Sequence, residues 1–362
     1  MKPPFRADQV GSLLRPPELR EARAKAKSGQ LSAAALKRVE DAAIREAIER
    51  QQAIGLESIS DGEFRRDWWH VDFLTGFDGV ESYAAPLVVG FQNTEEQPPM
   101  MRVTGKVRRT RPVFVDSFRF LKQATQGTAK QTIPAPAMLH MRPGRAGISR
   151  DAYPDLEEFW HDVATAYRAE IRDLAAAGCT YLQLDDTSFA YLCDEKFCAS
   201  MKSRGDDPQQ LVRTYADAIN AALADRPAGM AVTMHTCRGN FKSTWVASGG
   251  YEPVVEALFS AAVDGFFMEF DSERAGDFAP LRLAPKGKKV VLGLVTTKVG
   301  QLEDKETLKR RIEAAARYVP LENLCLSPQC GFSSTHHGNL LSYEEQWRKL
   351  ERIVEVAREV WG

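Results

Sequence analysis

Along almost its whole length this chain of 362 residues alternates short apolar runs rich in β-formers with longer segments whose apolar residues recur every three or four. Strands separated by helices pair side by side in parallel, because each helix carries the chain back to the end of the sheet where the previous strand began. The runs fall near 8–12, 57–61, 131–135, 181–185, 230–235, 266–270, 290–295 and 324–326. Eight such units predict an α/β fold of the (β/α)8 TIM-barrel type, which ordinarily takes about 250 residues and so leaves room here for insertions. The clearest insertion is 79–111, rich in Val, Thr, Gln and Pro and without helical period, which reads as an irregular or hairpin excursion. The whole of 1–362 is expected to be one domain. An open doubly wound sheet is the rival, but no G-x-G-x-x-G turn follows the first run.

The helical segments carry their own start and stop signals. Ser32 stands where it can cap a helix bearing Leu36, Val39, Ala43 and Ala47, and Gly55 can end it. A second places Trp160, Val163, Tyr167, Ile171 and Leu174 on one face and stops at Gly178. The last carries Trp347, Leu350, Val354, Ala357 and Trp361.

A net charge of -1 gives no reason to expect nucleic acid or an anionic membrane as partner. No apolar run approaches the roughly 20 residues that cross a bilayer, and the first residues lack the apolar stretch of a signal peptide. Six cysteines without disulfide-framework spacing suit a reducing, cytoplasmic setting.

In a barrel of this kind all strands end on one face, where active sites are built. The polar residues at those ends therefore belong together: Ser12, Asp61 and Glu63, Asp185 and Asp186, His235 and Cys237, Glu269 and Asp271, and Cys330. His235, Cys237, Glu269 and Cys330 combine one imidazole, two thiols and one carboxylate, a set that Zn2+ accepts in a four-coordinate shell. His235 and Cys237, two apart, point to one face of an extended strand. A structural zinc usually takes close C-x2-4-C pairs, whereas these ligands run from 235 to 330. Cys179 and Cys325 read as core, and Cys193 and Cys198 suit neither a disulfide nor chelation. Trp68 and Trp69 fit a pocket wall and plain packing equally well.

These residues also carry a resemblance. Val10-Gly11-Ser12, Asp61-Gly-Glu63-Phe-Arg65, Pro99 to Gly105, Gln183-Leu-Asp185, His235-Thr-Cys237, Met268-Glu269 and Pro328-Gln-Cys330-Gly331 occur in order over nearly the whole chain. The chain resembles the catalytic C-terminal barrel of cobalamin-independent methionine synthase, and more closely the short single-domain relatives of that family. The resemblance implies a zinc held by His235, Cys237, Glu269 and Cys330, and a homocysteine thiol methylated there to give methionine. It further implies that Glu63 and Asp185 hold the substrate ammonium while Val10, Gly11 and Ser12 meet its carboxylate. The implied partners are a small thiol and a methyl donor, either a methylfolate or a methyl-corrinoid protein.

The chemistry suits the residues. A free thiol near pKa 8.5 is mostly protonated at neutral pH, and only the thiolate is a competent nucleophile. Three features depart from the family pattern. The length accommodates one barrel where the full-length synthase has two. The strand 290–295 is followed by Thr296-Thr297-Lys298 where the family places a catalytic histidine, and Gln9 precedes Val10 where short relatives carry histidine. His336 and His337, just past Cys330, are the candidates for a replacement acid. The alternatives are alkyl transfer to another thiol or from another donor, including thiol addition to an epoxide, and a non-catalytic zinc–thiolate sensor.

Overall fold

In the computed structural model, residues 2–84, 91 and 98–362 are described. Seven parallel strands form one curled sheet in the order β1-β4-β5-β6-β7-β8-β9. They are β1 (Ser58–Ile59), β4 (Thr128–Pro134), β5 (Tyr181–Asp186), β6 (Ala231–Thr236), β7 (Gly265–Glu269), β8 (Lys289–Val295) and β9 (Leu324–Pro328). Their residues are almost all buried, as expected of a parallel sheet covered by helices. The remaining pair, β2 (Asp78–Tyr83) and β3 (Met100–Arg108), is antiparallel. It makes the expected excursion a two-stranded one; residues 85–90 and 92–97 of that excursion lie outside the described residues.

The expected first strand, 8–12, is the exception. It forms no ladder, only single parallel bridges from Ala7 to Leu326 of β9 and from Ser12 to Gly62 just past β1. The segment thus touches both edges of the sheet. Its carbonyls explain the difference. Those of Gln9, Val10 and Gly11 accept from the side chains of Lys130, Gln183 and Ser60, not from a neighbouring backbone. Gly11 also turns to φ 141°, and a Cβ there would come within 2.7 Å of Thr132 Cγ2.

The helical readings hold. Ala33–Ile54 is capped by the Ser32 hydroxyl, which accepts from the amide of Ala35, a contact worth about 1 kcal/mol. Ala43 and Ala47 face the core, and Gly55 ends the helix. In Leu156–Ala176, Val163, Tyr167, Ile171 and Leu174 are buried. The helix Tyr343–Trp361 starts with a reciprocal capping box between Ser342 and Glu345 and buries Trp347, Leu350, Val354 and Ala357. Among the described residues, no helix is long and apolar enough to cross a membrane.

Candidate metal centre and its cavity

Parallel pairing brings the dispersed strand ends to one place. Asp185 of β5 and His235 of β6 are register partners, and the amide of Cys237 donates to the Asp186 carbonyl at 2.7 Å, which carries the pairing past the end of β6. Glu269 is the last residue of β7, and Cys330 lies two residues past β9. The ligand atoms of His235, Cys237, Glu269 and Cys330 all lie within 4.8 Å of one another, and all four residues are buried.

The donor set and its surroundings fit zinc. Both thiols are free, with sulfurs 3.4 Å apart. The Cys237 thiol donating to Cys330 holds Cys330 well below the usual thiol value, and the same bond pushes Cys237 well above it. Burial favours a neutral His235 ring, but the Cys330 sulfur outweighs burial and raises it, with smaller help from Asp185 and Glu269. Neither ring nitrogen of His235 has a hydrogen bond of ordinary geometry. The Glu269 carboxylate accepts from the Arg238 amide at 3.0 Å and from Arg274 at 3.0 Å, and Arg274 also reaches Asp271 at 2.8 Å. These contacts aim the carboxylate and still leave it lone pairs.

His235, Cys237 and Cys330 line a cavity together with Val10, Ser12, Glu63 and Asp185. Glu63 sits at φ 60°, a conformation rare outside glycine. Its side chain accepts from Thr132 at 2.7 Å and lies 3.4 Å from Arg66. Burial pushes its carboxyl up against these two partners. Asp185 accepts from Gln183 at 2.7 Å, and burial followed by the Glu63 charge pushes it up to about 7. The Ser12 hydroxyl reaches the Ser333 amide at 3.3 Å across Gly331, where a Cβ would stand 1.9 Å from that oxygen. Gly11 shapes this turn without lining the cavity.

Other sequence candidates fall elsewhere. Asp186 caps the following turn, accepting from the Phe189 amide and the Ser188 hydroxyl. His336 and His337 line a neighbouring cavity with Arg15, Arg20, Arg23 and Lys27. Their rings pack T-shaped against Trp68, and that of His337 also against Phe241, both of which line the first cavity. Thr297 donates to Gln329, and Lys298 donates at 3.1 Å to Asn240, a cavity residue, from where its charge acts on Cys330 and Cys237. Trp68 and Trp69 line the cavity and also pack against the core. The cavity further contains His70, Arg142 and Tyr191, which the sequence reading missed. His70 and Arg142 sit on turns and Tyr191 ends the four-residue helix Ser188–Tyr191, where neither period nor motif marks them.

Known proteins similar to this chain are numerous. The model of the cobalamin-independent synthase catalytic domain matches residues 5–359. A Bacillus subtilis protein, YxjH, is 47% identical over 99% of this chain and 96% of its own length. A 5-methyltetrahydropteroyltriglutamate–homocysteine methyltransferase from Synechococcus is 24% identical over 99% of this chain, which spans 43% of that relative. A crystal structure from Listeria monocytogenes is 43% identical with a TM-score of 0.81, covering 100% of this chain and 99% of that one. In fold alone, a B12-independent methionine synthase from Shewanella is alike, at TM-score 0.73 and 21% identity over 97% and 96% of the two chains. The extent of the match and its agreement with the strand-end constellation establish that this chain belongs to the cobalamin-independent synthase catalytic-domain family.

Proposed function

We propose that the chain is a zinc-dependent thiol methyltransferase that converts homocysteine to methionine with a methylated folate as donor. The observation that carries the reading is the meeting of His235, Cys237, Glu269 and Cys330 within 4.8 Å, with the first two and Cys330 lining a cavity that Glu63 and Asp185 also line. Homocysteine and methyltetrahydropteroyltriglutamate stand in the name of the Synechococcus relative, and family membership supports carrying them here. The four residues would hold Zn2+, which supplies a deprotonated substrate sulfur at neutral pH.

The protein's own groups do the rest. Glu63 and Asp185 bind the substrate ammonium, which restores the charge that burial opposes in both. The Val10–Ser12 turn, kept open by Gly11, takes the carboxylate. Trp68, Trp69 and Phe241 wall the space and exclude water. The sulfur attacks the methyl carbon, the carbon–nitrogen bond of the donor breaks with its electron pair going to the folate nitrogen, and that nitrogen takes up from solvent a proton matching the one the thiol gave up. We further read residues 1–362 as one catalytic domain, with the N-terminal segment, bridged to both edges of the seven-stranded sheet, closing it into a barrel. We assign it to the cytoplasm, a setting that suits six free thiols.

The test is methionine formation, followed by mass spectrometry, by zinc-loaded protein supplied with homocysteine and methyltetrahydrofolate. No methionine from either the mono- or the triglutamyl donor would sink the reading. Product from another thiol or from a methyl-corrinoid instead would move the protein to one of the alternative transfers.

A further inference from the structure

One group of polar side chains in the cavity, buried or half-buried, has no part in that chemistry. His70 precedes the short helix Val71–Leu74 without capping it and is 1% exposed. Its ring tilts against Trp69 at 4.7 Å, and neither nitrogen meets a hydrogen-bond partner in the described protein. Arg142 lies on the turn after Pro136–Leu139, close enough that its charge acts on His70 and on the Tyr191 phenol. Arg142 Nη1 is likewise buried without a hydrogen bond of ordinary geometry, although the guanidinium also acts on the Tyr191 phenol through a side-chain contact. All three residues line the cavity.

A guanidinium donates and never accepts, its fork matches a carboxylate, and a buried donor left without an acceptor is costly. Burial, helped by the Arg142 charge, keeps the His70 ring well below the usual histidine value, so near neutral pH one of its nitrogens donates and the other accepts. The cavity is therefore two-signed. Glu63 and Asp185 offer negative charge to an ammonium, while Arg142 and His70 offer donors to an oxyanion, with the aromatic wall of Trp68 and Trp69 also facing the space.

We propose that His70 and Arg142 form a subsite for an anionic oxygen group, a carboxylate above all, carried by the ligand that shares the cavity with the thiol. Assigning that ligand to the methyl donor rests on the functional reading above; the oxyanion subsite itself does not. Because Trp68 and Trp69 border the site, their fluorescence reports binding without turnover. Zinc-loaded wild type, Arg142→Gln, Arg142→Lys and His70→Gln would each be titrated separately with methyltetrahydrofolate and with homocysteine, and zinc content measured alongside.

Arg142→Gln and His70→Gln should weaken methyltetrahydrofolate by about tenfold or more, with Arg142→Lys intermediate and with zinc content and homocysteine affinity unchanged. Weakened homocysteine with unchanged folate keeps the oxyanion subsite but gives it to the carboxylate of the thiol. Should wild type bind neither ligand, the functional reading fails, and acetate titration still decides the subsite: a response lost in Arg142→Gln supports it. Equal affinities for every ligand in folded, zinc-replete Arg142→Gln and His70→Gln overturn it.

Discussion

The two ends of the parallel sheet each hold buried charge, and they treat it in opposite ways. At the end where the strands begin, Asp8 accepts from the amides of Phe5 and Gln9, from Ser58, from Tyr181 and from Lys130. Lys130 is fully buried, 3.1 Å from Asp8, and also lies over the rings of Tyr181 and Phe267. Every acceptor position is used. At the opposite end, Glu63 and Asp185 are pushed up by burial, and His70 and Arg142 retain unpartnered nitrogens. A saturated network of buried charge fastens the N-terminal segment to the sheet. An unsaturated one spends folding energy to keep a surface ready for ligands.

The sharpest break of this comparison is at the metal end. Cys330→Ser should lose most of its zinc and fall to background turnover while staying folded, since the core is built from other residues. Metal analysis and the methionine assay measure both, and a variant that retains full zinc takes Cys330 out of the site.

Next in size is the closed end. Lys130→Met leaves the Asp8 carboxylate buried without its ion partner, and breaking a buried pair in this way costs roughly 3–5 kcal/mol. Urea unfolding should show that loss, with zinc per folded chain unchanged. A stability change below about 1 kcal/mol would mean that the network at this end does not fasten the segment.

Legibility from the sequence divides along the same line. The seven parallel strands, the capped helices and the meeting of His235, Cys237, Glu269 and Cys330 were readable, because period and strand-end position are local signals and parallel pairing does the gathering. The closing segment 8–12 read as a strand because its residue pattern is that of one. What replaces its ladder is a set of side chains from positions 60, 130 and 183, and no local signal announces them. His70 and Arg142 were invisible for the same reason, being placed by tertiary packing on turns. His336 and His337, next to Cys330 in sequence, line a neighbouring cavity, and their rings pack against Trp68, which lines the cavity of the site.

At the open end, Glu63→Gln and Asp185→Asn should each weaken homocysteine binding by about ten- to a hundredfold, the worth of a charged hydrogen bond, without releasing zinc. Loss of metal from both proteins would instead put these carboxylates in the metal's own surroundings.

The smallest effect is a pH dependence. Asp185 is held at about 7 in the ligand-free protein, by burial first and by the Glu63 charge second, so it is largely protonated at pH 6 and largely ionised at pH 8. An ammonium prefers the ionised form, so binding should strengthen as pH rises through 7 and level off above it. Homocysteine obscures this, because its own thiol also loses a proton on binding. Methionine carries the same ammonium and no thiol, and its amino group stays charged over this range. Its affinity should therefore rise about tenfold between pH 6 and pH 8, the change for one carboxylate with a pKa midway. Calorimetry at the two pH values measures it, and Asp185→Asn should flatten the dependence. An affinity for methionine that is equal at both values would show that Asp185 is already ionised at pH 6, and the contrast between a saturated and an unsaturated end would then rest on Glu63, His70 and Arg142.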